Sequence, residues 1–144
     1  ELPAGNDNST AQDNPDATPS TENTNENRTS KNAILLDTIH TALQQIESAI
    51  HVTEKAAQKN DATTIRLSTT RIADASLQIS GLSLLLDVKG KENLYMLATS
   101  LRHAAENLRT MAKKSTPVKS EMRESISEMK IKLSSLSTGI SFVN

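Results

Sequence analysis

The chain has 144 residues, no cysteine, no tryptophan, one tyrosine and one phenylalanine, and its formal net charge is -1. Without cysteine it cannot form a disulfide framework, a zinc-thiolate site, an iron–sulfur cluster or a cysteine nucleophile. Two aromatic residues are too few for the stacked platforms that usually hold single-stranded nucleic acid. A net charge near zero also argues against a general binder of polyanions. The composition therefore favours function through surface contact over cofactor chemistry.

The first 31 residues differ from the rest of the chain in charge and in apolar content. They carry six acids and two bases, about -4, whereas the remaining residues carry 11 acids and 14 bases, about +3. Three of the four prolines lie here among many Asn, Ser and Thr residues, and Leu2 is the only large aliphatic residue. Such a segment cannot bury enough apolar surface to offset the entropy cost of ordering. We therefore predict a disordered acidic tail over residues 1–31 and a folded domain over residues 32–144.

The N-terminal segment also indicates export. The sequence starts at Glu1 rather than methionine, as expected of a mature chain after removal of a signal peptide; a trimmed expression product is the alternative. Asn8 and Asn27 each begin an Asn-X-Ser/Thr triplet, the acceptor for N-glycosylation. No run of residues is apolar enough to span a bilayer. We expect a secreted or cell-surface protein, with an unglycosylated bacterial surface tether as the alternative.

From Asn32 onward, apolar residues recur three and four positions apart, which is the pattern of amphipathic helices. In the second helix, for example, the core residues are Ile65, Ile72, Ile79 and Leu86. The pattern predicts four helices, at about 32–58, 61–88, 92–114 and 117–143. Because short connections force neighbouring helices to be antiparallel, we predict an all-α protein: an up-down-up-down antiparallel four-helix bundle preceded by the disordered tail.

Local signals set the expected helix ends. The pair Asn60-Asp61 offers an N-cap for the second helix. Gly90 suits the end of that helix, because glycine readily adopts the left-handed conformation. Thr116 and Pro117 are typical of an N-cap followed by a proline at the first helical position.

The second predicted helix carries a further apolar stripe, on the side opposite its core residues. Leu77, Gly81, Leu84 and Val88 follow one another three or four positions apart, with Leu85 beside them. Three interpretations remain open: a self-association face, a docking site for a partner helix or an apolar ligand, and a helix covered on both sides by its own neighbours. Since an exposed apolar patch usually marks an interaction site, we expect these five residues to contact a partner.

Basic residues come together at one end of the predicted bundle. Helices that alternate in direction place the first and third turns at the same end, which gathers Lys55, Lys59, Lys113, Lys114, Lys119 and Arg123. We call this group the basic end. It could hold an acidic glycan, an anionic lipid or an acidic protein surface. Solvated side chains at helix ends are the alternative.

No pattern in the sequence predicts catalysis. His40 and His51 fall on a common face of the first helix and His103 lies on the third, without the Glu-x-x-His or His-x-x-x-His spacing of a metal site. Methionines at helical spacing are typical of core packing rather than of haem ligation. The sequence has no phosphate-binding loop and no nucleophile elbow. We therefore expect no enzymatic activity, no cofactor and no metal.

The aromatic-poor, cysteine-free amphipathic helices resemble those of exchangeable insect apolipoproteins, although those proteins have an additional helix and no such tail. The layout of stalk and bundle resembles bacterial surface lipoproteins and secreted proteins of parasites and blood feeders. We expect a non-catalytic secreted or surface-exposed helical binding module that engages a host or partner protein, for example as an inhibitor or modulator of a host defence pathway. A carrier of lipid or of a small apolar ligand is the alternative. Nucleic acid binding and a transmembrane anchor are not expected.

Overall fold

The computed structural model describes residues 21–114 and 117–143, with side chains from Arg28 onward. These residues form four α-helices and no strand: α1 Thr21–Gln58, α2 Ala62–Leu85, α3 Lys91–Ala112 and α4 Lys119–Val143. The predicted all-α fold is confirmed. The chain divides after Ala33 into two compact units, and α1 crosses the boundary between them. The described part of the first unit is helical, and the second unit contains the helix bundle.

Side-chain contacts join the helices of the second unit in a ring. The hydroxyl groups of Thr53 on α1 and Ser68 on α2 lie 2.6 Å apart, and Lys130 on α4 forms an ion pair with Glu54 on α1. Further side-chain hydrogen bonds join α2 to α3 and α3 to α4. Because short segments connect successive helices and each packs beside the next, the helices run up, down, up and down. The predicted antiparallel bundle is therefore confirmed.

Large and small side chains alternate in the core. On α3 every buried residue is a leucine or an alanine, and alanines separate the leucines: Leu94, Ala98, Leu101, Ala104, Ala105, Leu108 and Ala112. On α2 and just past its end, small hydroxyl residues separate large aliphatic ones: Ile65, Thr69, Ile72, Ser76, Ile79, Ser83 and Leu86. Such alternation lets the side chains of one helix fill the spaces between those of its neighbour. The core is thus packed by shape as well as by hydrophobicity.

The start of α1 differs from the prediction. The helix begins at Thr21, not near residue 32, so the predicted disorder does not extend over residues 21–31. Starting a helix is costly, but once the amphipathic segment has formed, each added residue gains one backbone hydrogen bond at little further cost. Low apolar content therefore does not end the helix at residue 32. The remaining predicted tail, residues 1–20, lies outside the described residues.

The two ends of α2 have different outcomes. The predicted cap within the pair Asn60-Asp61 is Asp61: its carboxylate accepts hydrogen bonds from the backbone N–H and the hydroxyl of Thr64, at 3.1 and 2.6 Å. The predicted end near residue 88 is wrong, because α2 ends at Leu85. Leu86 adopts an extended conformation that buries its side chain in the core, and this burial stabilises the early end of the helix.

Glycine and proline also act differently from the prediction near the later helix ends. Gly90 has a φ of 89° and lies at the N-cap of α3, so it shapes the start of α3 and not the end of α2. Pro117 is not the first helical residue, because α4 begins at Lys119 and the carbonyl of Val118 accepts its first helical hydrogen bond, from Met122. Thr116 lies outside the described residues.

Candidate binding surfaces

The apolar stripe of α2 faces outward from the bundle. The side chains of Leu77, Leu84 and Leu85 are 53%, 43% and 55% exposed, although the opposite side of the same helix is fully buried. A methyl group added at Gly81 would meet no atom within 4 Å, so no other backbone approaches there. Among the described residues, no neighbouring helix covers this side of α2, so the interpretation in which its neighbours cover both sides is wrong. We call Leu77, Gly81, Leu84 and Leu85 the α2 outer face.

Val88 does not belong to the α2 outer face. It follows the end of the helix and is half-buried against the hydrophobic core. Leu67, near the start of α2, is also exposed, but the exposed charged residues Arg71 and Asp74 separate it from Leu77. The α2 outer face therefore keeps its four residues.

The six residues of the predicted basic end lie at or near the ends of their helices. All six basic residues named for it are exposed. Lys119 and Arg123 line one hollow together with Gln58, and Lys114 lines a second hollow together with Asn60. These shared hollows show that the first and third turns lie at the same end of the bundle.

Helix dipoles account for part of the basic end. Lys55, Lys59, Lys113 and Lys114 lie at or just beyond the C-terminal turns of α1 and α3, where a positive charge is favourable. Lys119 and Arg123 lie instead in the first two turns of α4, where the helix dipole disfavours a positive charge. The dipole therefore explains four of the six basic residues and leaves the two on α4 without a structural reason.

A groove between α1 and α4 opens beside these two residues. Its volume is about 530 Å³, and Ala57, Met122 and Ile126 form its buried apolar floor. Lys119 and Arg123 stand on its rim. We call this hollow the α1–α4 groove. The sequence did not predict this groove, because no spacing along one helix shows where α1 and α4 leave space between them.

The histidines are not gathered into a site. His51 and His103 are exposed on α1 and α3, and His40 is half-buried on α1. Within the described residues, no group of three His, Asp or Glu side chains is placed to hold a metal ion. No helix in this part of the chain is both long enough and apolar enough to cross a membrane.

The two glycosylation triplets fall at different places. Asn8 lies outside the described residues, and Asn27 lies within α1.

Comparison with known proteins gives no further guide to these surfaces. No protein-family model, curated protein or solved structure matches the chain.

Proposed function

We propose that this protein is a non-catalytic helical binding module that engages a partner protein through the α2 outer face. One observation carries the proposal: three leucines in a row are exposed on a helix whose opposite side already forms the core. Exposed apolar area is costly in water, at about 25 cal/mol per Å², and is recovered when a partner covers it. A contiguous row of this kind is more informative than single exposed residues.

The arrangement suits a partner helix or a shallow groove. Leu77, Gly81, Leu84 and Leu85 have the spacing of residues on one side of a helix, so they present a single line of contacts. Gly81 leaves a gap between the leucines, into which a large side chain of the partner fits. The four-helix core holds this line rigid, which lowers the entropy cost of association.

The remaining features support a protein that acts outside the cell. The acidic composition of residues 1–20 suits a spacer between a surface and the bundle, and both predicted glycosylation triplets precede residue 34. We propose secretion or surface display, and a host protein as the partner. Inhibition or modulation of a host pathway is the corresponding role, since the proposal includes no catalysis.

The test compares two exposed apolar positions. Leu84→Asp removes part of the α2 outer face, and Ile131→Asp makes the same change on α4, where Ile131 is 66% exposed. We expect full-length Leu84→Asp to lose capture of the partner from extracellular fluid, and Ile131→Asp to keep it. Because an acid near the C-terminus of α2 is unfavourable for the helix dipole, Leu84→Lys provides the same test without that penalty. Equal capture by all variants would refute the proposed surface.

Self-association is the competing outcome at the same face. Sedimentation of the pure protein distinguishes the two: a dimer that Leu84→Asp dissociates would mean that a second copy, and not a different protein, covers the α2 outer face. A concentration-independent monomer supports the partner protein.

A carrier of an apolar ligand is the second candidate function, and the α1–α4 groove is the observation that favours it. Native mass spectrometry of protein from the producing cell is the direct measurement. A bound lipid would support a carrier, whereas an empty monomer would support the protein-binding module alone.

A further inference from the structure

We propose that the α1–α4 groove binds a single-chain amphiphile, a molecule with one anionic headgroup on one hydrocarbon chain. Lys119 and Arg123 would hold the headgroup, and Met122 and Ile126 would contact the chain. The proposal deepens the carrier function and does not depend on the α2 outer face.

The floor of the groove suits a hydrocarbon chain. Ala57, Met122 and Ile126 are buried but line an open space of about 530 Å³, within the range of small-molecule sites. A second hollow of about 250 Å³ adjoins it, lined in part by Ile65 and Ala112. Met122 lines both hollows, and its unbranched thioether side chain changes conformation easily. Rotation of this one side chain would therefore join the two spaces.

The rim of the groove is positively charged. Lys119 and Arg123 line it, and Glu54 is its only acidic lining residue. Lys130 forms an ion pair with the Glu54 carboxylate, which neutralises that charge. Glu121 is exposed on the first turn of α4 but does not line the groove. Arg123 also lines a separate hollow with Glu124 and Glu128, and Glu128 forms an ion pair with Lys132. Since no ion pair with an acidic side chain holds Lys119 or Arg123 among the described residues, both cations are available to an anion.

The start of α4 adds a partial positive charge beside the two cations. The first N–H groups of a helix have no partner within it and carry a partial positive charge. Glu121 and Glu124 balance Lys119 and Arg123 along the start of α4, but neither acid lines the groove. An anion in the groove is therefore attracted by both cations and by the helix terminus.

The shape of the groove argues against larger partners. A partner helix contacts apolar side chains that stand out from the surface, whereas the apolar floor of this groove is already buried between two helices. A bilayer requires apolar side chains that protrude, whereas Met122 and Ile126 are recessed. The hollow between α1 and α2 differs, because Arg71 and Asp74 both line it and its charge is balanced. The α1–α4 groove combines an apolar floor with two cations, and the smaller hollow that shares Met122 adds Lys114.

The test uses dodecanoate, below its micelle concentration, with the full-length chain carrying isotope-labelled methionine methyl groups. We expect saturable binding that shifts the Met122 methyl resonance, while the resonance of exposed Met96, at the start of α3, stays in place. Uncharged dodecanol should bind about tenfold more weakly, since it cannot pair with the cations. An unmoved Met122 resonance, or equal affinity for dodecanol, would overturn the proposal.

Charge variants test whether Lys119 and Arg123 hold the headgroup. The double variant Lys119→Gln/Arg123→Gln should weaken dodecanoate binding about tenfold or more. The control Lys89→Gln/Lys91→Gln removes the same charge near the other end of the bundle and should bind as the wild type does. Leu84→Asp should also leave binding unchanged, so failure here is distinguishable from failure of the partner-protein proposal. Equal loss in both double variants would overturn the assignment, as would sedimentation with phosphatidylserine-containing vesicles without dodecanoate binding.

Discussion

At the scale of single residues, buried hydroxyl groups recur along α2 every seven positions. Thr69, Ser76 and Ser83 each donate a hydrogen bond of 2.7 Å to the backbone carbonyl four residues earlier. The hydroxyl groups are thus satisfied within their own helix, and burial does not leave them unpaired. Their small volume, and not their polarity, is what the core uses.

If the core requires the small volume of these residues, two substitutions of Ser76 should differ in their effect on the free energy of unfolding. Ser76→Ala keeps the small volume, and the Ile72 carbonyl retains its helical partner, so the free energy of unfolding should change by less than about 1 kcal/mol. Ser76→Leu forces a large side chain into a filled site and should lower the free energy of unfolding by about 1–3 kcal/mol. Urea denaturation followed by circular dichroism measures both. A larger loss in Ser76→Ala than in Ser76→Leu would mean that the hydroxyl itself stabilises the core.

Asp61 predicts a dependence of stability on pH. Its hydrogen bonds, from the Thr64 hydroxyl first and the Thr64 backbone N–H second, lower the pKa of the carboxyl below 3.8. Because the folded pKa is depressed, the stabilisation is present at neutral pH and is lost as the pH falls through that pKa. The Asp61→Asn variant has no titratable group at this position. The difference in unfolding free energy between wild type and Asp61→Asn should therefore shrink in acid; a difference that stays constant would contradict the cap.

At the scale of helices, Gly81 and Gly139 both lie within a helix but differ in the space around them. A methyl group at Gly81 would meet open space, whereas one at Gly139 would lie 3.1 Å from Leu94 Cδ2 and 3.3 Å from Leu97 Cδ1. Gly81→Ala should raise the free energy of unfolding by about 0.5–1 kcal/mol, since alanine favours the helix. Gly139→Ala should gain less, because α3 and α4 must adjust. Equal gains in thermal or urea unfolding would show that the contact at Gly139 is loose.

The sequence predicted the helices and their order well, and their ends less well. Every helix has an apolar face repeated over several turns, so its existence does not depend on a single residue. Helix ends depend on single residues and on the core: Leu86 leaves α2 because its side chain packs inward. The predicted cap at Asn60-Asp61 was correct because the hydrogen bonds of Asp61 are local, although the sequence did not decide between the two residues. Gly139, by contrast, matters only through the leucines of another helix.

The candidate surfaces were also predicted only in part, because local sequence determines some of their features and packing determines the others. The sequence identified the leucines of the α2 outer face, but their exposure depends on which neighbours pack beside α2. It placed six basic residues at one end because the up-and-down topology alone decides that. The α1–α4 groove could not be predicted from the sequence, since a gap between two helices depends on the volumes of side chains distant in sequence.

At the scale of the whole molecule, the bundle separates two candidate surfaces. The α2 outer face lies on one helix, and the α1–α4 groove lies between two others at the basic end. Because these sites share no residue, their variants should act independently. Leu84→Asp combined with Lys119→Gln/Arg123→Gln should lose partner capture and dodecanoate binding to the same degree as the separate variants. Loss of both activities in either separate variant would indicate a shared site or a folding defect.

The central claim is that the α2 outer face contacts the partner, and photo-crosslinking of the full-length chain tests it most directly. A photoreactive amino acid is placed at position 84 or, as the control, at position 131; both native residues are exposed. The account predicts that the captured partner is crosslinked from position 84 and not from position 131. Crosslinking from position 131 alone, or equally from both positions, would contradict it.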